Sequence, residues 1–115
     1  MGLTPQGFEE LVAEALDSLP RWVLERLDNV EVIVEEQPPQ DRPNLLGLYE
    51  GIPLTRRGAG YTNVLPDRIS LYRSTIEAEG RTPTGIRFVV GQTVIHEVAH
   101  HFGISDERLE ELGRG

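Results

Sequence analysis

The sequence contains no cysteine and no lysine, and its single methionine is the first residue. Without thiols, neither a disulfide nor a zinc–thiolate site is available. Any metal must therefore be held by nitrogen and oxygen donors. All eleven basic residues are arginine, set against nineteen acidic ones, and the formal net charge is −8. That balance speaks against nucleic acid as the main partner, because affinity for a phosphate backbone comes mostly from Lys and Arg. It speaks equally against an anionic membrane surface. No apolar run approaches the roughly 18 to 20 residues of a membrane span. The opening MGLTPQGFEELVAEAL has neither the basic n-region nor the apolar h-region of a signal peptide, and Gln6 stands where myristoylation wants Ser or Thr. The expectation is a cytoplasmic protein whose 115 residues form one domain, 1–115, around a small core.

What is present organises readily. Thr4-Pro5 reads as an N-cap with proline in the first turn, and Phe8, Leu11, Val12, Ala15, Leu16 and Leu19 recur at helical spacing. Trp22, Val23 and Leu27 suggest a second short helix. VEVIVEE, from Val30 to Glu36, alternates as a strand does. QPPQDRPN must be loop, since its prolines cannot join a ladder. A strand is expected from about Leu45 to Tyr49, then a turn near Glu50-Gly51, a short return, and a Gly-rich loop around Arg57 to Gly60. Another strand is expected at about Arg68 to Arg73. Thr82-Pro83 opens the last long helix, which runs to Phe102 with Gly103 as its stop. Val90, Val94, Ile95, Val98, Ala99 and Phe102 would form its apolar arc. Helices with a mixed or mostly antiparallel sheet give an α+β fold.

The chemistry sits in HEVAHHFGISD, His96 to Asp106. Residues four apart on a helix are neighbours, so His96 and His100 can direct imidazole nitrogens at one ion. Glu97 is offset from that ion but within reach of a water beside it, the place for a general base. Two ligands leave the site incomplete, since catalytic zinc usually has three from protein. Gly103 allows a sharp reversal, and Asp106, three residues on, can return its carboxylate to the pair. A bare H-E-x-x-H arises by chance in roughly a few chains per thousand of this length, and the added Gly and acid lower that about a hundredfold. Other readings stay open. Asp106 could instead cap a helix in ERLEEL, and Glu107, Glu110 or Glu111 could be the third ligand. His101 lies roughly 140° round the helix from His96, a position for a second-layer or surface residue rather than a ligand.

HEVAHHFGISD resembles the motif of the zincin metallopeptidases, and in particular the metzincin-type pattern with Gly between the second His and a third ligand. Together with LLGLYEGIPLTRRG and ISLYR, it makes most of the chain similar to the small bacterial minimal zincins. That resemblance implies one zinc per chain held by His96, His100 and Asp106, with Glu97 as catalytic base and a peptide or small protein as substrate. It also implies a zincin-like core in which the active-site helix packs on a small sheet whose edge strand could hold an extended peptide. Unlike the larger metzincins, the sequence has no methionine for a Met-turn and no C-terminal subdomain for the primed side of a cleft. For the oxyanion, Tyr49, Tyr61, Tyr72 and the arginines are candidates on chemistry only.

Zinc-dependent peptide hydrolysis is the leading reading. A non-catalytic zinc module that binds a protein partner is the alternative, and Glu97 argues against it, because a purely structural site needs no acid there. A metal-dependent RNase fits poorly with Glu97, Asp106 and the net charge.

Overall fold

The computed structural model describes residues 3–27, 29–56 and 65–111. Helix α1 (Pro5–Asp17) starts as expected, with Thr4 Oγ1 accepting from the Gly7 N–H at 3.0 Å, and it buries Phe8, Leu11 and Val12. A short α2 (Arg21–Glu25) follows Pro20 and buries Val23. Strand β1 (Val30–Glu35) and strand β3 (Asp67–Tyr72) pair in parallel, Val30 opposite Asp67. Strand β2 (Gly47–Glu50) pairs antiparallel with the other side of β3, Gly47 opposite Leu71 and Tyr49 opposite Ile69. The sheet order is β1-β3-β2. It is therefore mixed, with β3 at its centre, and the expectation of an α+β fold holds.

Three local expectations are corrected. Strand β2 begins at Gly47 rather than Leu45, and no return strand follows it among the described residues. Pro53 offers no N–H to a ladder, and the chain instead forms a 3-10 helix at Leu54–Arg56. A helix, α3 (Arg73–Gly80), runs straight on from β3 where none is expected. It buries only Ile76 and has no side-chain cap, so it leaves neither a periodic pattern nor a start signal. The glycine-rich stretch from Arg57 to Gly60, and Tyr61, lie outside the described residues.

Helix α4 (Pro83–His101) is the central element and packs against α1, α3, β2 and β3. Thr82 caps it, its hydroxyl accepting from the Gly85 N–H at 3.0 Å. Its buried face comprises Ile86, Val90, Thr93, Val94, Glu97, Val98 and His101. The apolar members of that face join Phe8, Ile69, Leu71 and Ile76 in one core, each large apolar side chain contributing about 1.5–3 kcal/mol. The arc differs from the expected one. Ile95 is exposed and Phe102 only partly buried, whereas His101 is 1% exposed. His101 falls roughly 20° from Val90 on the helical wheel, in the middle of the core face.

Candidate metal centre

The last turn of α4 and the reversal after it build the site. The Gly103 N–H donates to His100 O and the Ile104 N–H to Ala99 O, both at 2.9 Å. This is a Schellman closure, which needs a left-handed residue just past the helix. Gly103 supplies it with φ +89°. The space a Cβ would occupy there is taken by the Thr55 side chain from the 3-10 helix, so the turn is pressed against its neighbour as well as bent.

The reversal carries Asp106 back onto α4. Its Oδ1 lies 2.9 Å from His96 Nε2 and 3.0 Å from His100 Nε2. The two imidazoles stand edge to face, with ring centroids 4.8 Å apart. Asp106 opens helix α5 (Asp106–Glu111), but the capping bond there comes from Ser105, whose Oγ accepts from the Arg108 N–H. The Asp106 carboxylate thus serves the histidines and not the helix. Glu111 pairs with Arg108, the Glu110 side chain lies outside the described ones, and of the described carboxylates the one that meets both imidazoles is that of Asp106.

Glu97 lies beside the histidines, on the buried side of the same turn. Ligand atoms of His96, Glu97 and His100 all fall within 4.8 Å of one another. Burial pushes the Glu97 carboxyl up to about 7; His100 opposes the shift, Asp106 adds to it, and a hydrogen bond from the Tyr49 backbone N–H opposes it. That bond follows from the strand register. The Tyr72 N–H donates to Leu46 O, so by antiparallel alternation the main-chain groups of Gly47 and Tyr49 turn away from β3. β2 must also come very close to α4. A Cβ on Gly47 would stand 2.8 Å from Thr93 Cγ2, 3.0 Å from Ser70 O and 3.2 Å from Glu97 Cγ.

Gly47, Tyr49, His96, Glu97, His100 and Asp106 line a cavity of about 590 Å³ between β2 and α4, which also takes in Arg42 and Thr55. A second cavity, of about 370 Å³, adjoins it along α4, lined by Leu45, Leu46, Phe88, Val89 and Gln92 and again reaching His96 and Glu97.

The donor set suits zinc. In a tetrahedral site with bonds near 2.0–2.1 Å, adjacent donors lie about 3.3 Å apart. The present separations of 2.9 and 3.0 Å are only slightly tighter. Two neutral imidazoles and one carboxylate, with no thiol, are ligands of borderline hardness that zinc accepts.

His101 faces the other way. Its Nδ1 is 2.9 Å from Asp67 Oδ2 and its Nε2 is 3.1 Å from the Arg26 carbonyl oxygen. Each ring nitrogen thus meets an oxygen partner, and Asp67 is itself 3% exposed. The same Oδ2 accepts from the Tyr49 hydroxyl at 2.7 Å. His101 is therefore buried rather than at the surface, and it is no part of the histidine–Asp106 cluster. Of the tyrosines named for an oxyanion, Tyr49 has its hydroxyl on Asp67, and Tyr72 is buried beside Ser70. Sequence reasoning missed Asp67 altogether, and a charged residue opening a central strand gives no local hint of a partner 34 positions on.

The described residues include no helix long and apolar enough to cross a membrane. No curated protein matches the chain. A solved structure titled as a conserved hypothetical protein from "Thermo thermophilus" is similar to it, at 28% identity and a TM-score of 0.60. The match covers 97% of this chain and 100% of that one. The family described as zincin-like metallopeptidase matches residues 27–115. That span holds the whole sheet, α4 and the histidine–Asp106 cluster, and the chain belongs to the zincin-like metallopeptidase family.

Proposed function

We propose that this protein is a zinc-dependent peptidase in which His96, His100 and Asp106 hold one zinc ion and Glu97 is the general base. The observation that carries this reading is the convergence of one Asp106 oxygen on Nε2 of both histidines, with a buried carboxylate on the residue after the first of them. Family membership supports it independently.

A zinc ion in that position supplies Lewis acidity, to a water molecule and to the carbonyl oxygen of a peptide. The protein's own residues do the rest. A Glu97 carboxylate oxygen takes a proton from the attacking water and returns it to the departing amine nitrogen. Burial at 6% exposure shields that transfer from bulk water, and the Tyr49 N–H fixes the carboxylate's direction. The Gly47 main-chain groups and the Tyr49 carbonyl turn toward the cleft, where an extended substrate pairs with the sheet edge. The open cavity suits short or flexible peptides. A zinc site that only braces the fold has no use for Glu97, which costs free energy to bury.

The test is elemental analysis of the purified chain beside a peptide-hydrolysis assay, with Glu97→Gln as control. About one zinc per chain, with turnover abolished and zinc retained in Glu97→Gln, is the expected result. Retained zinc without turnover in the parent over a broad peptide mixture supports the bracing role instead.

A further inference from the structure

Tyr49 touches two parts of the molecule that lie on opposite sides of α4's last turn. Its hydroxyl donates to Asp67 Oδ2 at 2.7 Å, the oxygen that also meets His101 Nδ1 at 2.9 Å. Its ring stands edge to face with the His101 ring, centroids 5.7 Å apart. Its backbone N–H donates to the Glu97 carboxylate. The side chain thus faces a buried polar pair, while the main chain of the same residue faces the cleft.

We propose that Tyr49 is the positioning residue of this site: the buried Asp67–His101 pair holds its side chain, and its main chain in turn orients Glu97. This rests on the reading of Glu97 as the base.

The need for such a device follows from the fold. β2 is only four residues long and is an edge strand, held by a ladder on one side. Short edges of that kind open readily. Glu97 has a flexible side chain, and its carboxylate must keep one direction for proton transfer to be efficient. The anchor, in contrast, is closely held. Asp67 and His101 are 3% and 1% exposed, and His101 Nε2 is tied to the Arg26 carbonyl beyond α2. Asp67 has no room to retreat toward β2's end, because its side chain already fills the space where a Cβ on Gly51 would stand. Fixing the Tyr49 hydroxyl to that anchor fixes β2 against α4 at the residue where Glu97 is met. A hydroxyl that merely satisfied Asp67 would have no effect at the cleft.

Tyr49→Phe removes the hydroxyl and keeps the ring. The experiment compares the zinc-loaded parent and Tyr49→Phe by amide hydrogen exchange at residue 49, zinc content and peptide turnover. The expected result is unchanged zinc content, exchange at the residue 49 amide about tenfold faster, and kcat about tenfold lower with KM unchanged. Parental exchange at residue 49 in Tyr49→Phe overturns the proposal, as does a loss confined to KM. Glu97→Ala gives a second reading that does not depend on how Tyr49→Phe folds. Faster exchange at the Tyr49 amide, with the Leu48 amide unchanged, is expected, and no change at Tyr49 overturns the link. If the parent hydrolyses no peptide, the peptidase reading fails, and the exchange comparison still decides whether Tyr49 holds Glu97.

Discussion

Asp106 Oδ1 lies 3.0 Å from Nε2 of His100, a contact made possible by a helix that stops and reverses within a few residues. The same oxygen reaches His96. Removing it takes away one of three converging donors, so Asp106→Ala is expected to weaken zinc binding by roughly a hundredfold or more. His100→Ala abolishes it. Competition with a fluorescent chelator measures both, and parental affinity in Asp106→Ala would place the third ligand elsewhere.

A different acid–base pair governs stability. Asp67 and His101 are 2.9 Å apart and almost wholly buried. Removing one partner of a buried pair strands the other, at a cost of about 3–5 kcal/mol. His101→Ala is expected to lose that much in urea unfolding. His96→Ala, at the more open end of the same turn, loses about 1 kcal/mol or less in the metal-free protein. Equal losses would contradict the separate roles of these two histidines.

Glu97 makes the metal-free protein sensitive to alkali. Its carboxyl is raised from 4.5 to about 7, chiefly by burial. The unfolded chain therefore gives up this proton at lower pH than the folded chain does. Below about pH 4.5 both forms keep the proton and the contribution is whole; it is lost as pH rises through 7. Glu97→Gln has no proton to lose. Its advantage over the parent is expected to grow between pH 5 and pH 8 to about 2–3 kcal/mol. Urea midpoints of both proteins, stripped of metal across that range, check it, and parallel curves would refute it.

Gly47 is a narrow point between β2 and α4. A methyl group there meets Ser70 O, which is backbone and cannot swing aside, as well as Thr93 and Glu97. Gly47→Ala is expected to cost about 1–3 kcal/mol and to reduce turnover more than zinc affinity, because the groups it crowds include Glu97 and neither His96 nor His100. Thermal unfolding and the assay described above measure the two effects separately.

The parts of this protein that are legible in its sequence are those whose signals are local. Thr82-Pro83 and Gly103 mark both ends of α4, and the spacing from His96 to Asp106 marks the cluster, because cap, turn and i,i+4 contacts all lie within one or two helical turns. Strand β2 starts two residues later than expected because its limits are set by pairing with β3 rather than by its own pattern. Helix α3 is invisible because it buries a single residue. Burial of His101 is readable from its phase with Val90 and Val94, but its partner is not, since Asp67 and Tyr49 come to it from the sheet. The donors that gather at Asp106 are legible; the network that steadies Glu97 is not.

The Schellman turn gives the cluster a kinetic and thermodynamic character of its own. All three converging side chains lie within eleven consecutive residues, so gathering them closes only a short loop, at small entropic cost. Chains that have lost their sheet still present His96 and His100 four positions apart, and such chains retain some affinity for metal. Zinc will therefore raise the unfolding temperature less than its affinity for the folded protein implies. Glu97 has no such independence. Its Tyr49 contact spans almost half the sequence and forms only once β2 has docked. On the proposed reading, metal capture can thus precede folding, while the positioning of Glu97 has to wait for it.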